Sequence, residues 1–143
     1  MSDSTDLELV LAANAAFYAA FEMLDHDAMS CAWSDAAPIS CIHPSGMLLE
    51  GRDVVLSSWR EIFRATTSIH FVLERVRAFV AGDTAWIVLT ETIDARHGDG
   101  QVRASAQATN VFVREKDGWK LVHHHAEPAS APASRRPRTS TLN

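Results

Sequence analysis

The sequence predicts an α+β domain: a cone-shaped, curved antiparallel sheet of about six strands, with three helices packed on its concave face. Three observations lead there. Apolar spacing is mainly helical as far as Thr66 and alternates thereafter. The long alternating runs are joined by Ala81-Gly82-Asp83, Gly98-Asp99-Gly100 and Lys116-Asp117-Gly118. Links that short force antiparallel neighbours, so the four runs form a meander. Strands of this length curl, and a curled sheet closed by helices encloses a hollow suited to a small molecule.

The first helix opens on a capping box, Thr5 with Glu8. Leu7, Val10, Leu11, Asn14, Phe17, Tyr18, Phe21 and Leu24 then recur at helical spacing. Asn14 and Tyr18 lie within that apolar stripe, where a polar group needs a partner. A second, short helix is expected from Asp25 to Trp33. Ala36-Ala37-Pro38 ends it, and residues 39–43 read as a strand stopped by Pro44-Ser45-Gly46, with 47–50 as its hairpin partner. A third helix runs from Gly51 to about Thr66 on the stripe Val55, Trp59, Ile62, Phe63. The four strands of the meander are placed at 68–80, 84–96, 101–115 and 119–127.

Length and composition suit one globular unit: 143 residues, 47% of them hydrophobic. The domain is expected over residues 1–128, with 129–143 a disordered tail rich in Pro, Ser and Arg. A formal charge of −5 argues against nucleic acid as partner. No apolar run approaches the roughly 18 residues of a membrane span, so no membrane partner is expected. The N-terminus shows no cationic start followed by an apolar stretch, and the expected location is cytoplasmic. Cys31 and Cys41 make no disulfide framework and no zinc ribbon, and read as small core residues.

Alternation sorts the strand faces. In the third long strand Ala104, Ala106, Ala108, Asn110 and Phe112 share the face expected to be concave, and Asn110 there needs hydrogen-bond partners. In the second, Glu91 is the one polar member of the row Ala85, Ile87, Leu89, Glu91, Ile93. The last strand carries Trp119, Leu121, His123 and His125 on one face and Lys120, Val122 and His124 on the other, unless a one-residue slip turns His124 inward. Imidazoles at i and i+2 can converge on one metal or one anion, with His43 or Glu91 as a further metal ligand. His-x-His on a strand is weak evidence for a metal, and the expectation is metal-free pocket histidines and no cofactor.

The pattern helix, short helix, "CIHPSG", "LEGRDVVLSSW" and then a meander ending "ATNVFVREKDGWKLVHHHAEP" resembles the nuclear transport factor two-like superfamily, in its SnoaL-like branch. The ending is also similar to the calcium/calmodulin-dependent protein kinase association domain. The resemblance covers about Leu7 to Pro128. It implies a six-stranded curved sheet, three helices, a pocket at the open end of the cone, and a homodimer formed across the sheet. Ketosteroid isomerase relatives use a tyrosine of the first helix as oxyanion donor, a part open to Tyr18. His43 stands where their carboxylate base would be, a departure from that mechanism. Glu91 and Asn110 fall where the kinase domain has pocket arginines.

Two function classes follow. In the first, a small, mostly apolar substrate enters over Trp33, Trp59 and Phe112. His125 or His43 is the acid or base, Glu91 orients the imidazole, and Tyr18 and Asn110 donate to developing charge. Asn14 and His123 complete the expected lining. In the second, the chain is a ligand-binding or assembly domain without chemistry, and the same groups fix a ligand or satisfy their neighbours. A purely structural part for His123 and His125, packed against Trp119 and a dimer partner, is the third possibility.

Overall fold

A computed structural model describes residues 3–129, so the expected tail, apart from its first residue, lies outside the described residues. In chain order the elements are α1 (Asp3–Glu22), α2 (His26–Ala32), β1 (Ser40–Ile42), β2 (Leu48–Glu50), α3 (Arg52–Ala65), β3 (Ser68–Ala81), β4 (Thr84–His97), β5 (Gly100–Glu115) and β6 (Gly118–Pro128). Every expected element is present. Thr5 is a correction: the helix is already under way at Asp3, so Thr5 belongs to its first turn and not to its cap. Asp25 is the true N-cap of α2, its carboxylate accepting from the Ala28 amide at 3.1 Å.

One six-stranded sheet runs β2-β1-β6-β5-β4-β3. The meander β3 to β6 is antiparallel throughout, and β1 joins β6 in parallel. That parallel pair departs from the all-antiparallel expectation. The chain leaves β1 through β2, α3 and three strands before it returns, a connection long enough to permit either sense. Two irregularities bend the ladder. In β3 the two residues Arg75 and Val76 stand opposite the single residue Leu89 of β4, one more than the ladder needs, with Arg75 at φ 55°. In β6, Val111 pairs with His123 and Phe112 with Leu121, so Val122 is the extra residue.

The helices cover one face of the sheet. On that inner face Ala106, Ala108, Asn110 and Phe112 of β5 are buried, as are Ala85, Ile87, Leu89 and Glu91 of β4. α1 makes its closest backbone approach to β3, and its Phe17 reaches into the middle of the core. Phe17 makes edge contacts with Tyr18, Phe21, Trp33 and Trp59 at 4.8–6.5 Å between ring centres. Gly51 starts α3 at φ 94°, a left-handed conformation that side chains rarely adopt, and its carbonyl accepts the Val55 amide. The next residue, Arg52, spreads its guanidinium over the carbonyls of Ser30, Trp33 and Ser34 at 2.9–3.3 Å. It thereby caps the C-terminal end of α2, whose last carbonyls have no partner within the helix. At the other end of α1, Arg114 pairs with Asp6 and Asp83 and lies 4.5 Å over the Trp119 ring.

Candidate functional site

The inner face gathers a set of polar groups from elements far apart in sequence. Tyr18 of α1 donates to the Glu91 carboxylate of β4 at 2.6 Å. The Asn110 amide nitrogen donates to Asn14 Oδ1 at 2.9 Å and to Tyr18 Oη at 3.3 Å. His124 Nδ1 stands 2.5 Å from Asn110 Oδ1. Since the amide nitrogen of Asn110 already faces two acceptors, its oxygen faces His124, and Nδ1 carries the proton. The chain of donors then runs one way, from His124 through Asn110 and Tyr18 to Glu91. All five residues are buried, and Asn110 is 0% exposed.

A second group adjoins the first. His43 of the loop after β1 packs edge-on to Trp59 at 4.7 Å and lies 6.5 Å from the His124 ring. Ser58 of α3 donates to the Val55 carbonyl at 2.6 Å, so His43 Nε2 donates to Ser58 Oγ at 2.9 Å. Cys41 is 3.7–3.9 Å from the same ring. The indole nitrogens of Trp33 and Trp59 are buried without a hydrogen-bond partner among the described residues. The Trp119 indole nitrogen is buried in the same way.

Burial sets the charge states. It raises the Glu91 carboxyl to about 7, only partly offset by the Tyr18 hydrogen bond. Burial, with the neighbouring Glu91 charge, lifts the Tyr18 phenol well above its ordinary range. His43 is lowered to about 4 by burial, and His124 to about 3 by burial and the adjacent histidines. The Cys41 thiol is pushed up to about 12 by burial, so it is neutral and a poor nucleophile. At neutral pH the site thus holds two uncharged imidazoles and one carboxyl that titrates near the working range.

Asn14, Tyr18, Trp33, Trp59, Glu91, Asn110 and Phe112 all lie on the inner face or in the core, and His43 is half-buried at its margin. His123 and His125 do not join them. The extra residue at Val122 reverses the alternation after Leu121, which sends both imidazoles to the outer face and brings His124 in. Glu91 also differs from expectation: its partner is Tyr18, not an imidazole. Tyr18 and Asn110 are likewise bonded to groups of the protein. His124 was the residue that plain alternation missed. The signal for it was Asn110, a buried amide whose register partner across the ladder is His124.

The core is packed around these groups. Two open grooves of about 800 and 320 Å³ lie elsewhere, the sheet's outer face supplying Arg75, Thr90 and Gln107 to both. Among the described residues no set of three or more His, Cys, Asp or Glu side chains closes on a metal position. No helix among them is long and apolar enough to cross a membrane.

Comparison with known proteins agrees with this architecture. The family model for the SnoaL-like domain matches residues 10–133. A solved protein of Streptomyces avermitilis, described as a candidate dehydratase of the NTF2-like family, is 42% identical. The match covers 91% of this chain and 100% of that one, with a TM-score of 0.86. A Thiobacillus denitrificans structure, described as a candidate calcium/calmodulin-dependent protein kinase type II association domain, is 35% identical over 83% of this chain and 94% of its own, with a TM-score of 0.72. The F-box protein SKIP8 of Arabidopsis thaliana is 27% identical over 117 residues, 82% of this chain. The chain spans about half the length of that curated relative, 48%. By the family match and by likeness along almost its whole length, the chain belongs to the SnoaL-like branch of the NTF2-like superfamily.

Proposed function

We propose that the domain is a cofactor-free acid–base enzyme acting on a small, mostly apolar carbonyl or hydroxy-carbonyl compound, with Glu91 as the group that moves the proton. The observation that carries this reading is a buried carboxyl poised at about 7 and oriented by one phenol. A carboxylate in that range is basic enough to take a proton next to a carbonyl and acidic enough to return it. The candidate dehydratase relative from Streptomyces favours dehydration within this class.

In such a reaction Tyr18 holds Oε2, and Oε1 takes the proton from the carbon next to the carbonyl. Negative charge grows on the carbonyl oxygen, where the unpartnered indole N–H of Trp59 or Trp33 stabilises it. The same proton passes from Glu91 to the departing hydroxyl, which leaves as water, and the carboxylate is restored. Asn14 and Asn110 keep Tyr18 aimed, while neutral His124 offers the Nε2 lone pair to a substrate hydroxyl. Phe21, Phe63 and Ile93 lie partly buried against the core.

A second reading, an assembly domain, is favoured by a specific feature: the outer face of the sheet. Val72, Val76, Phe79 and Trp86 are 37–48% exposed there. Arg75, Arg77 and Arg103 lie on the same face as Glu74, Asp94 and Glu127, a set of charges that a second copy can match in reverse. A relative described as an association domain is in keeping with this reading, in which two copies pair across this face. The two readings are compatible, since the dimer uses the face opposite the polar core.

Three outcomes are expected. In a turnover screen of β-hydroxy carbonyl compounds, Glu91→Gln loses about 100-fold or more in kcat, the usual scale of general acid–base catalysis. Tyr18→Phe raises the pH at which activity sets in, and His125→Ala leaves it unchanged. A Glu91→Gln protein as active as the wild type would overturn the assignment. The stability profile supplies a second check. Because its folded pKa is raised, Glu91 contributes stability fully present below about 4.5 and lost as pH rises through about 7. His43 and His124 are lowered, so their contribution is present above 6.5 and lost as pH falls toward 4 and 3. Tm should therefore rise more steeply from pH 5 to 7 in Glu91→Gln than in the wild type; an unaltered slope contradicts the shift. For the dimer, light scattering should give twice the chain mass, and Trp86→Arg should halve it. A monomeric wild type at tens of micromolar counts against assembly through this face.

A further inference from the structure

β5 is longer than the strand beside it. It pairs with β4 from Gly100 to Val113, but its ladder with β6 stops at Ala106 opposite Pro128. The chain then takes one more step in the same ladder, the Ala129 amide donating to the Ser105 carbonyl at 2.9 Å. In an antiparallel ladder, backbone groups turn toward a given neighbour at every second residue. The amides and carbonyls of Arg103 and Gln101 therefore point the same way as the Ser105 carbonyl, away from β4. Among the described residues no strand meets them there. Residues 101–105 are all exposed, Val102 with 46% of its surface open. Such an edge is a template for any extended segment that reaches it.

The segment in line with this edge is the chain's own. Fourteen residues follow Ala129, beginning Ser130-Ala131-Pro132-Ala133-Ser134. Continuing the register of Ala106 with Pro128 sets Ala131 opposite Arg103, Pro132 opposite Val102 and Ser134 opposite Gly100. Five extended residues cover about 17 Å, the length of edge left open. The prolines suit this course. The Ala129 N–H turns toward β5, so the next to do so are those of residues 131 and 133, both alanines with an amide to give. Pro128 and Pro132 fall at the alternate positions, where the nitrogen faces away from β5 and needs no hydrogen. Directly opposite residues share a face, so Pro132 would cover the exposed Val102 side chain. Arg135 and Arg136 would then arrive at the turn Gly98-Asp99-Gly100, whose aspartate carries the opposite charge. We propose that residues 130–134 of this chain dock on the free edge of β5 as a continuation of β6, with Ala131 bonded to Arg103 and Ala133 to Gln101. The outer side of the added segment then presents proline nitrogens, which keep a further strand from pairing there.

The test is amide hydrogen exchange of the full-length protein, followed residue by residue by NMR. The Gln101 and Arg103 amides are expected to exchange at least about tenfold more slowly than unpaired amides, and to do so equally after dilution. Ala131→Pro removes an N–H that the ladder needs and should return both amides to the unpaired rate. Ser130→Pro, at a position whose N–H faces away, should leave them protected. Unchanged exchange at Asn110, in the middle of β5, shows in each variant that the sheet is intact. Unprotected Gln101 and Arg103 amides in the wild type, or protection indifferent to Ala131→Pro, overturn the proposal. Loss of protection in Ser130→Pro contradicts the register. Protection that fades on dilution also overturns the assignment, because a second copy then covers the edge.

Discussion

The Asn110 side chain is the group on which most of this structure depends. It is fully buried, and both its polar atoms are bonded: the nitrogen to Asn14 and Tyr18 of α1, the oxygen to His124 of β6. Leaving a buried amide without partners costs about 1–3 kcal/mol for each unmet group, so α1, β5 and β6 are held in one register as long as it is satisfied. In the proposed reaction the same bonds position the reacting groups. Asn14 and Asn110 aim the tyrosine, the tyrosine holds the carboxylate, and the Asn110 oxygen selects the tautomer of the imidazole.

A polar chain of this kind is kept at some expense to the core. Glu91 and His124 are ionisable groups taken out of water, and such groups rarely repay their desolvation. Their environment pushes them apart: the carboxyl upward to about 7 and the imidazole downward to about 3. Paired titratable groups driven in opposite directions within one enclosed space are the usual mark of assigned acid and base roles. The aromatic shell of Phe17, Trp33, Trp59 and Phe71 supplies the low dielectric that produces both shifts.

Much of this was legible in the residues themselves. The turns at Gly82, Gly98 and Gly118 announced the meander. The single carboxylate in the row Ala85 to Ile93 and the single amide in the row Ala104 to Phe112 marked the polar centre of the inner face. What alternation could not show was Val122. A bulge is decided by how β5 and β6 twist and by which register buries most apolar surface, and neither quantity is local to the strand. One extra residue exchanged His123 and His125 for His124 on the inner face, so the expected acid or base His125 and the expected lining residue His123 face outward, and the alternative left open by a register slip, His124, faces inward. The partner of Glu91 was hidden for a similar reason, because which helix side chain lies over a given strand position depends on the packing of α1 across the sheet.

The most direct measurement of the central claim is an infrared titration of the Glu91 carboxyl. The carbonyl stretch of a protonated, buried carboxylic acid is isolated from other side chains by subtracting the spectrum of Glu91→Gln. The account predicts a band that disappears with a midpoint near pH 7 and moves higher in Tyr18→Phe, where the hydrogen bond favouring the ionised form is gone. A midpoint near 4.5, the ordinary value of an exposed glutamate, would contradict it, and with it the assignment of Glu91 as the proton-transferring group.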